Sequence, residues 1–343
     1  MLLKPVCLKN EFADLSRKEK FAAYRSLWQK AQKYEVLTDF PLHLDLELSG
    51  KCNFKCANCF QNGLIKTDLG LMETSLYEKI IITGVENGLC AIKLQVRGES
   101  FLHPDIFEMI KFAKRQGVLD VQITTNASML SPKKMDLLMD SGIDAVIFSV
   151  DAHHAENFKG NGIDDTGNDY YIQTKKKINY LLHRRLGSQL KKPWVRIRAS
   201  VPHAEIHQSI ETKNRLKKDF QLADLYIVGR IHNFRDDQDA FPDLHRNYIL
   251  DKCAYLTQRL AIFWNGDATT CCMDYNTQFN LGNVNTADIS NIWLSTAMNE
   301  FRRRHLDQER KNMPICKHCH ACITPVNEDI FMDQTPRHTA DVP

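Results

Sequence analysis

Short apolar runs recur along the first two thirds of the chain, separated by polar stretches with a helical period. Runs rich in β-formers at 44–48, 91–96, 118–124, 145–149, 195–200 and 225–228 predict six strands. Between them, segments 73–86, 104–115, 132–140, 173–184 and 209–222 space apolar residues three and four apart, as a helix with one buried face requires. Alternating strand and helix predicts a parallel sheet covered by helices. Residues 1–41 carry charge and helix formers, notably over 18–33, and Pro41 then precedes the first strand, which predicts an amino-terminal helical extension. Near residue 236 the pattern changes: 259–264 and 268–272 predict a hairpin, and 289–304 a helix. The segment 151–171, dense in Asp, Asn, Gly and His, predicts a long loop after the fourth strand, either a mobile surface loop or a lid. No internal repeat is present.

A chain of 343 residues, 43% hydrophobic and 25% charged, is globular, with room for one large domain or one domain and an appendage. The longest apolar runs, such as 145–150, fall far short of the roughly 20 residues of a membrane-spanning helix. The amino terminus lacks the apolar stretch of a signal peptide, so the expectation is a cytoplasmic protein with no membrane partner. A formal charge of +3 gives no reason to expect nucleic acid. The basic runs 175–177, 191–192 and 302–304 lie on or beside helical patterns without interleaved aromatics and are expected to be solvated faces.

Cysteine usage changes the picture. Eleven cysteines without a secretory signal argue for metal binding rather than disulfides. Nine fall in three groups: Cys52, Cys56 and Cys59; Cys253, Cys271 and Cys272; Cys316, Cys319 and Cys322. Cys7 and Cys90 are expected to be ordinary residues, Cys90 as part of the core. The first group spells CxxxCxxC directly after a strand and turn at 44–50. Three thiolates leave one coordination position of a four-ligand site open, and an open position is where chemistry can happen. Zinc ligation or unlinked thiols are the plain alternatives.

This spacing resembles that of radical SAM enzymes, whose cysteines hold three irons of a 4Fe-4S cluster while the fourth iron chelates S-adenosylmethionine (SAM). Asn58 stands where the family has an aromatic residue beside the adenine, so Phe54 or Phe60 is expected to take that role. After the second strand, Arg97-Gly98-Glu99-Ser100 is similar to the family's Gly-Gly-Glu-Pro, which implies that Gly98 and Glu99 face the cofactor's ammonium; Arg97 and Ser100 depart from the motif. The third strand ends Thr125-Asn126 and the fourth Ser149-Val150-Asp151. The resemblance places Asn126, Ser149 and Asp151 near the cofactor ribose; turn chemistry is the alternative for Asn126 and Asp151. On the fifth strand Arg198 and Ser200 share a face, and Arg198 either holds the methionine carboxylate or is a structural arginine. The implied fold is α/β, a partial (β/α)6 TIM-like barrel over 42–235 with ligands at the carboxyl ends of its strands. Arg230 and His232, after the sixth strand, face the substrate or are loop residues.

Beyond the barrel, Cys253, Gly266, Cys271, Asp274, the run 281–283, Trp293, Cys316, Cys319 and Cys322 resemble the SPASM and twitch extensions of the same superfamily, which carry auxiliary Fe-S clusters. No cysteine follows Cys322, so the expectation over 236–325 is the shorter twitch-like form, a small α+β domain with one auxiliary 4Fe-4S cluster, followed by a tail at 326–343. Cys253, Cys271, Cys316 and Cys319 are the expected ligands, with Cys272 and Cys322 as spares. Structural zinc, with His318 and His320 as nitrogen ligands, is the alternative.

The resemblance implies reductive cleavage of SAM to a 5′-deoxyadenosyl radical that abstracts a substrate hydrogen, with a flavodoxin or ferredoxin-type protein as electron donor. The leading expectation is two-electron oxidation of a small polar substrate, a sugar or cyclitol alcohol, with the auxiliary cluster accepting the electron. Crosslinking or epimerisation of a ribosomally made peptide is the alternative. A non-catalytic Fe-S or zinc scaffold is a third reading. No residue stands out as the catalytic base.

Overall fold

The structure is a computed structural model; it describes residues 4–12, 15–56, 59–64, 69–150, 168–201, 208–230, 252–317 and 319. Its strands are β1 (His43–Leu46), β2 (Ala91–Lys93), β3 (Asp120–Thr125), β4 (Ala145–Ser149), β5 (Trp194–Val201), β6 (Leu225–Arg230), β7 (Arg259–Ile262), β8 (Asp267–Thr269) and β9 (Asn280–Asn283). The helices are α1 (Leu8–Phe12), α2 (Arg17–Gln32), α3 (Thr74–Glu86), α4 (Ile106–Arg115), α5 (Pro132–Asp140), α6 (Asn168–Gly187), α7 (Ser209–Asp219), α8 (Tyr255–Gln258), α9 (Ile289–Trp293), α10 (Thr296–Leu306) and α11 (Pro314–Lys317). All six predicted strands and the five helices between them form, with ends shifted by a few residues. None of the described helices is long and apolar enough to cross a membrane.

β1 to β6 pair in parallel in sequence order, as the right-handed βαβ rule favours. The other edge of β1 is taken by β7, also parallel, with His43 opposite Arg259 and Leu46 opposite Ile262. β7, β8 and β9 then continue antiparallel, giving the strand order β6-β5-β4-β3-β2-β1-β7-β8-β9 among the described residues. Because β1 has a neighbour on each edge, β6 cannot close the ring on it, and the barrel is a partial one. The carboxy-terminal hairpin therefore extends the core sheet.

The outer face of the sheet packs Ile92, Val121, Val146 and Ile197 against Ile80, Ile110, Leu138 and Ile178 of the covering helices in one cluster. Strand β5 shows the division: Val195, Ile197, Ala199 and Val201 are fully buried, while Arg196, Arg198 and Ser200 alternate with them and are half-buried on the inner face. Cys90 is in the core, as expected, and Cys7 is exposed.

Four expectations are corrected. The loop predicted over 151–171 yields its last four residues to α6, which starts at Asn168. The helix predicted over 289–304 is two helices. Trp293 is fully buried with its indole donating to the Thr38 carbonyl, and the Ser295 side chain accepts from the Met298 N–H and caps a new helix. The strand predicted at 91–96 stops pairing at Lys93, where the chain turns into the loop bearing Gly98. Finally, Arg302 is no solvated residue: it is fully buried, donates to the carbonyls of Leu256 and Trp293, and stacks 4.2 Å from the Trp293 ring centroid.

Candidate active site at the carboxyl ends of the strands

The loop after β1 carries Cys52, Cys56 and Cys59, all half-buried. Gly98, from the loop after β2, fits directly against it. A Cβ there would stand 2.2 Å from the Ser49 carbonyl oxygen and 2.3 Å from that of Lys51, so only glycine permits the approach. The next amide, Glu99 N–H, donates to the Lys51 carbonyl at 2.9 Å. Within the loop, the Phe54 and Gln61 amides donate to the sulfurs of Cys52 and Cys59, each at 3.5 Å, and the Gln61 side chain reaches the Gly50 and Arg97 carbonyls. Burial pushes the Cys52 thiol up to about 11 and raises Cys59. Thiols so placed stay neutral until a cation draws them into thiolates, and soft sulfur donors at a strand-end loop fit an iron-sulfur cluster. Among the described residues no three His, Cys, Asp or Glu side chains already stand in metal-binding geometry.

Phe54 packs against Cys52, Cys56, Tyr170 and Tyr171, edge-on to the Tyr170 ring at 5.1 Å. Phe60 instead stacks on Tyr275, with ring centroids 5.1 Å apart. Of the two aromatics expected near the adenine, Phe54 is the one among the thiols, while Phe60 ties the loop to the carboxy-terminal segment. Asn58 lies outside the described residues.

Glu99 is buried and committed to the protein. Its carboxylate accepts from Thr125 Oγ1 at 2.8 Å and from the amides of Asn126 at 2.9 Å and Phe101 at 3.2 Å. Burial raises this carboxyl above the ordinary range, against the pull of those three donors. Asn126 in turn donates from Nδ2 to the Asn53 side chain and accepts from Ser128, while its carbonyl receives the Tyr170 hydroxyl. Both residues thus brace the ends of β1, β2 and β3 as well as lining them. Ser149 ends β4 opposite Arg198 on β5. Asp151 and His232 lie outside the described residues, and for Arg230 only the backbone, at the end of β6, is described.

Residues that sequence reasoning passed over organise the rest. Glu47 follows β1 and forms a two-point ion pair with Arg97, the motif's departing residue. On the inner face, Asp45 of β1 contacts His43 Nε2 at 3.2 Å and Arg259 of β7 at 3.4 Å, and Lys93 of β2 is its register partner. Burial alone would raise the Asp45 carboxyl, but Arg259 and His43 hold it well below the usual range. Desolvation lowers the Lys93 ammonium, against the attraction of Asp45. The signal was present: Asp45 and Glu47 alternate with Leu44, Leu46 and Leu48 in a fully buried strand.

The hairpin places the second thiol group. Gly266, at φ +88, turns β7 into β8; a Cβ there would meet the Asn285 side chain at 2.5 Å. The Trp264 ring beside it packs on Gly50 and Gly70, next to the first cysteine loop. Cys271 lies within electrostatic reach of Cys272, Cys316 and Cys319, and burial followed by these neighbours in that order raises its thiol well above the ordinary value. Buried Arg310 donates to the carbonyls of Cys316 and Cys319 and holds that turn. The Cys253 carbonyl accepts from the Tyr34 hydroxyl, and its amide donates to His305. Cys272 faces elsewhere: besides burial, the groups acting on its thiol are Asp45, Lys93 and Arg259 of the core. Cys322, His318 and His320 lie outside the described residues.

A thiol group with an open coordination position at the carboxyl end of β1, and a second thiol group on the segments around the antiparallel hairpin, define an iron-sulfur protein of the α/β class. The Radical SAM superfamily model matches residues 46–185, and that of the SPASM iron-sulfur cluster-binding domain matches 253–320, together more than half of the chain. The chain belongs to the radical SAM superfamily and carries a SPASM domain, so SAM, a 4Fe-4S cluster and auxiliary Fe-S binding come with it. Among relatives, the probable GTP 3′,8-cyclase of Methanococcus maripaludis is 33% identical over 114 residues, 33% of this chain and 38% of that protein. The GTP 3′,8-cyclase of Chlorobaculum tepidum is 32% identical over 161 residues, 45% of this chain and 46% of that protein. The chain thus spans less than half of these relatives. Among solved structures, anSMEcpe with bound AdoMet aligns at TM-score 0.59 and 16% identity, over 81% of this chain and 88% of that one. BtrN in complex with AdoMet and 2-DOIA aligns at 0.51 and 14%, over 85% and 95%. SuiB of Streptococcus suis, bound to S-adenosylmethionine, aligns at 0.51 and 17%, over 90% and 80%. At such identities these likenesses concern the fold.

Proposed function

We propose that this radical SAM enzyme oxidises a small polar substrate, a sugar or cyclitol alcohol, by two electrons, with one auxiliary cluster as the electron acceptor. The observation that carries this reading is the adjacency of Cys271 and Cys272. Cys271 has Cys316 and Cys319 within electrostatic reach, while Cys272 beside it has Asp45, Lys93 and Arg259 of the inner face, so an auxiliary site would border the place where a substrate would lie. The inner face is polar, carrying Lys93, Arg196, Arg198 and Ser200, which suits a hydroxylated substrate.

Bound SAM and its reduced cluster supply a hydrogen-abstracting radical; the rest falls to the chain. Cys52, Cys56 and Cys59 hold that cluster. Gly98 brings backbone close to the cofactor, and Glu99 fixes the strand ends around the ammonium site. Phe54 borders the adenine, Asn126, Ser149 and Asp151 the ribose, and Arg198 the methionine carboxylate. Cys253, Cys271, Cys316 and Cys319 close the auxiliary cluster with four thiolates, so its role is electron transfer. Arg230, the last residue of β6, and His232 are the candidate substrate contacts by sequence, and a flavodoxin or ferredoxin-type protein delivers the electron.

The test is 5′-deoxyadenosine formation by anaerobic, reconstituted protein with dithionite and SAM. Candidate alcohols should raise it above the substrate-free rate and yield an equal amount of carbonyl product. If no alcohol does so and a precursor peptide does, the enzyme is the peptide-modifying kind.

A further inference from the structure

Among the described residues, Asp45 is the carboxylate that acts on both Lys93 and Arg259 on the inner face of the sheet. Asp45 is occupied by Arg259 at 3.4 Å and His43 at 3.2 Å. Lys93, its register partner, makes no side-chain hydrogen bond or ion pair to any described residue, and neither does Arg198 across the sheet. Both act electrostatically on one another, and Arg259, whose Nε is buried without a hydrogen-bond partner, adds a third cation to the cluster. Like charges brought together out of bulk water raise one another's energy; with Arg198 taken by the methionine carboxylate, an anionic ligand at Lys93 beside Arg259 relieves the rest. A neutral alcohol would not.

We propose that the substrate carries an anionic group, a phosphate or carboxylate, and that Lys93 receives it beside Arg259. This deepens the reading above and rests on it only in taking the inner face as the substrate's side of the barrel. An ammonium is a compact charge with three donors on a flexible stem, suited to a phosphate or carboxylate arriving in several orientations. Burial weakens its hold on the proton, opposed by Asp45 and then added to by Arg259 and Arg198, so Lys93 gains more from a counter-ion than an exposed lysine would. Its closeness to Cys272 puts the bound anion next to the segment that bears Cys271.

Inorganic phosphate is the probe. It is titrated calorimetrically into full-length, reconstituted protein saturated with SAM, for wild type, Lys93→Met and Lys93→Arg. Lys93→Met should weaken phosphate binding about tenfold or more, and Lys93→Arg by less than about threefold, with iron content and SAM affinity unchanged. In the wild type, phosphate but not glycerol should slow modification of the Lys93 peptide by an amine reagent, a measurement that needs no variant. Unchanged phosphate affinity in Lys93→Met, or a loss of SAM affinity instead, overturns the proposal. Substrate-free 5′-deoxyadenosine formation is scored separately: its absence would sink the radical chemistry and leave the phosphate result standing.

Discussion

The guanidinium of Arg97 grips the carboxylate of Glu47 at two points, Nε to Oε1 and Nη2 to Oε2, each at 2.6 Å, with side chains only 5% and 0% exposed. Arg97 also donates to the Tyr275 carbonyl and lies 4.0 Å over the Phe263 ring, while Glu47 accepts from the Trp264 amide. The pair joins the end of β1, the cofactor-side loop after β2 and the carboxy-terminal hairpin. Breaking it leaves a lone buried charge, at a cost of about 3–5 kcal/mol. Arg97→Leu should lower the unfolding free energy by that order, and Glu47→Leu with Arg97→Leu should recover much of it; denaturant titration of the three proteins decides. If the double variant is less stable than Arg97→Leu, the isolated charge is not the cause.

Gly98→Ala tests whether the two strand-end loops must touch. The added methyl would overlap two carbonyl oxygens of the cysteine loop, neither of which is a flexible side-chain end. We expect selective loss of the SAM-binding cluster, with anaerobic iron content falling from about eight to about four per chain. Full retention of both iron and SAM cleavage would show that the loop yields.

Cys271 and Cys272 are neighbours in sequence with different surroundings. Cys271→Ser should remove the auxiliary iron, about four per chain, whereas Cys272→Ser should keep all of it. Iron analysis with low-temperature spectroscopy reads the difference. The assignment fails if the two variants lose iron alike.

His305 is buried against the Cys253 amide, and burial followed by the nearby arginines Arg310 and Arg304 lowers its pKa to about 4. Its unfolded value is about 6.5. The folded state therefore favours neutral imidazole, and the stability gained is fully present above pH ~6.5 and is lost as pH falls toward about 4. The loss amounts to no more than roughly 3 kcal/mol. Denaturant midpoints from pH 7.5 to 4.5 should fall less steeply in His305→Gln than in wild type. Parallel curves would place the pH sensitivity elsewhere.

The motifs of the candidate site are legible along the chain because they are local. Cys52, Cys56 and Cys59 fall within eight residues, and Gly98-Glu99 occupies a single turn, so residue type and spacing carry the information. The partners of Arg97 were not readable, because Glu47 and Tyr275 lie 50 and 178 residues away and meet it only through sheet pairing. The pattern over 289–304 predicts one helix; what breaks it is Ser295 as a cap and Trp293 anchored to Thr38, 255 residues distant. Helical period says nothing of what packs against a face, so the pattern alone predicts Arg302 as a surface charge.

The sequence by itself determined the order of strands and helices, the two thiol groups and the superfamily, since each depends on periodicity or on short spacings. Tertiary structure decided that β7 seals the free edge of β1, that Glu99 is a brace bonded to the end of β3, and that Cys271 and Cys272 have different charged neighbours. It also decided that Lys93, Arg198 and Arg259 share an inner face with Asp45. Those relations arise between segments far apart in the chain, and strand register and burial fix them where local propensity cannot.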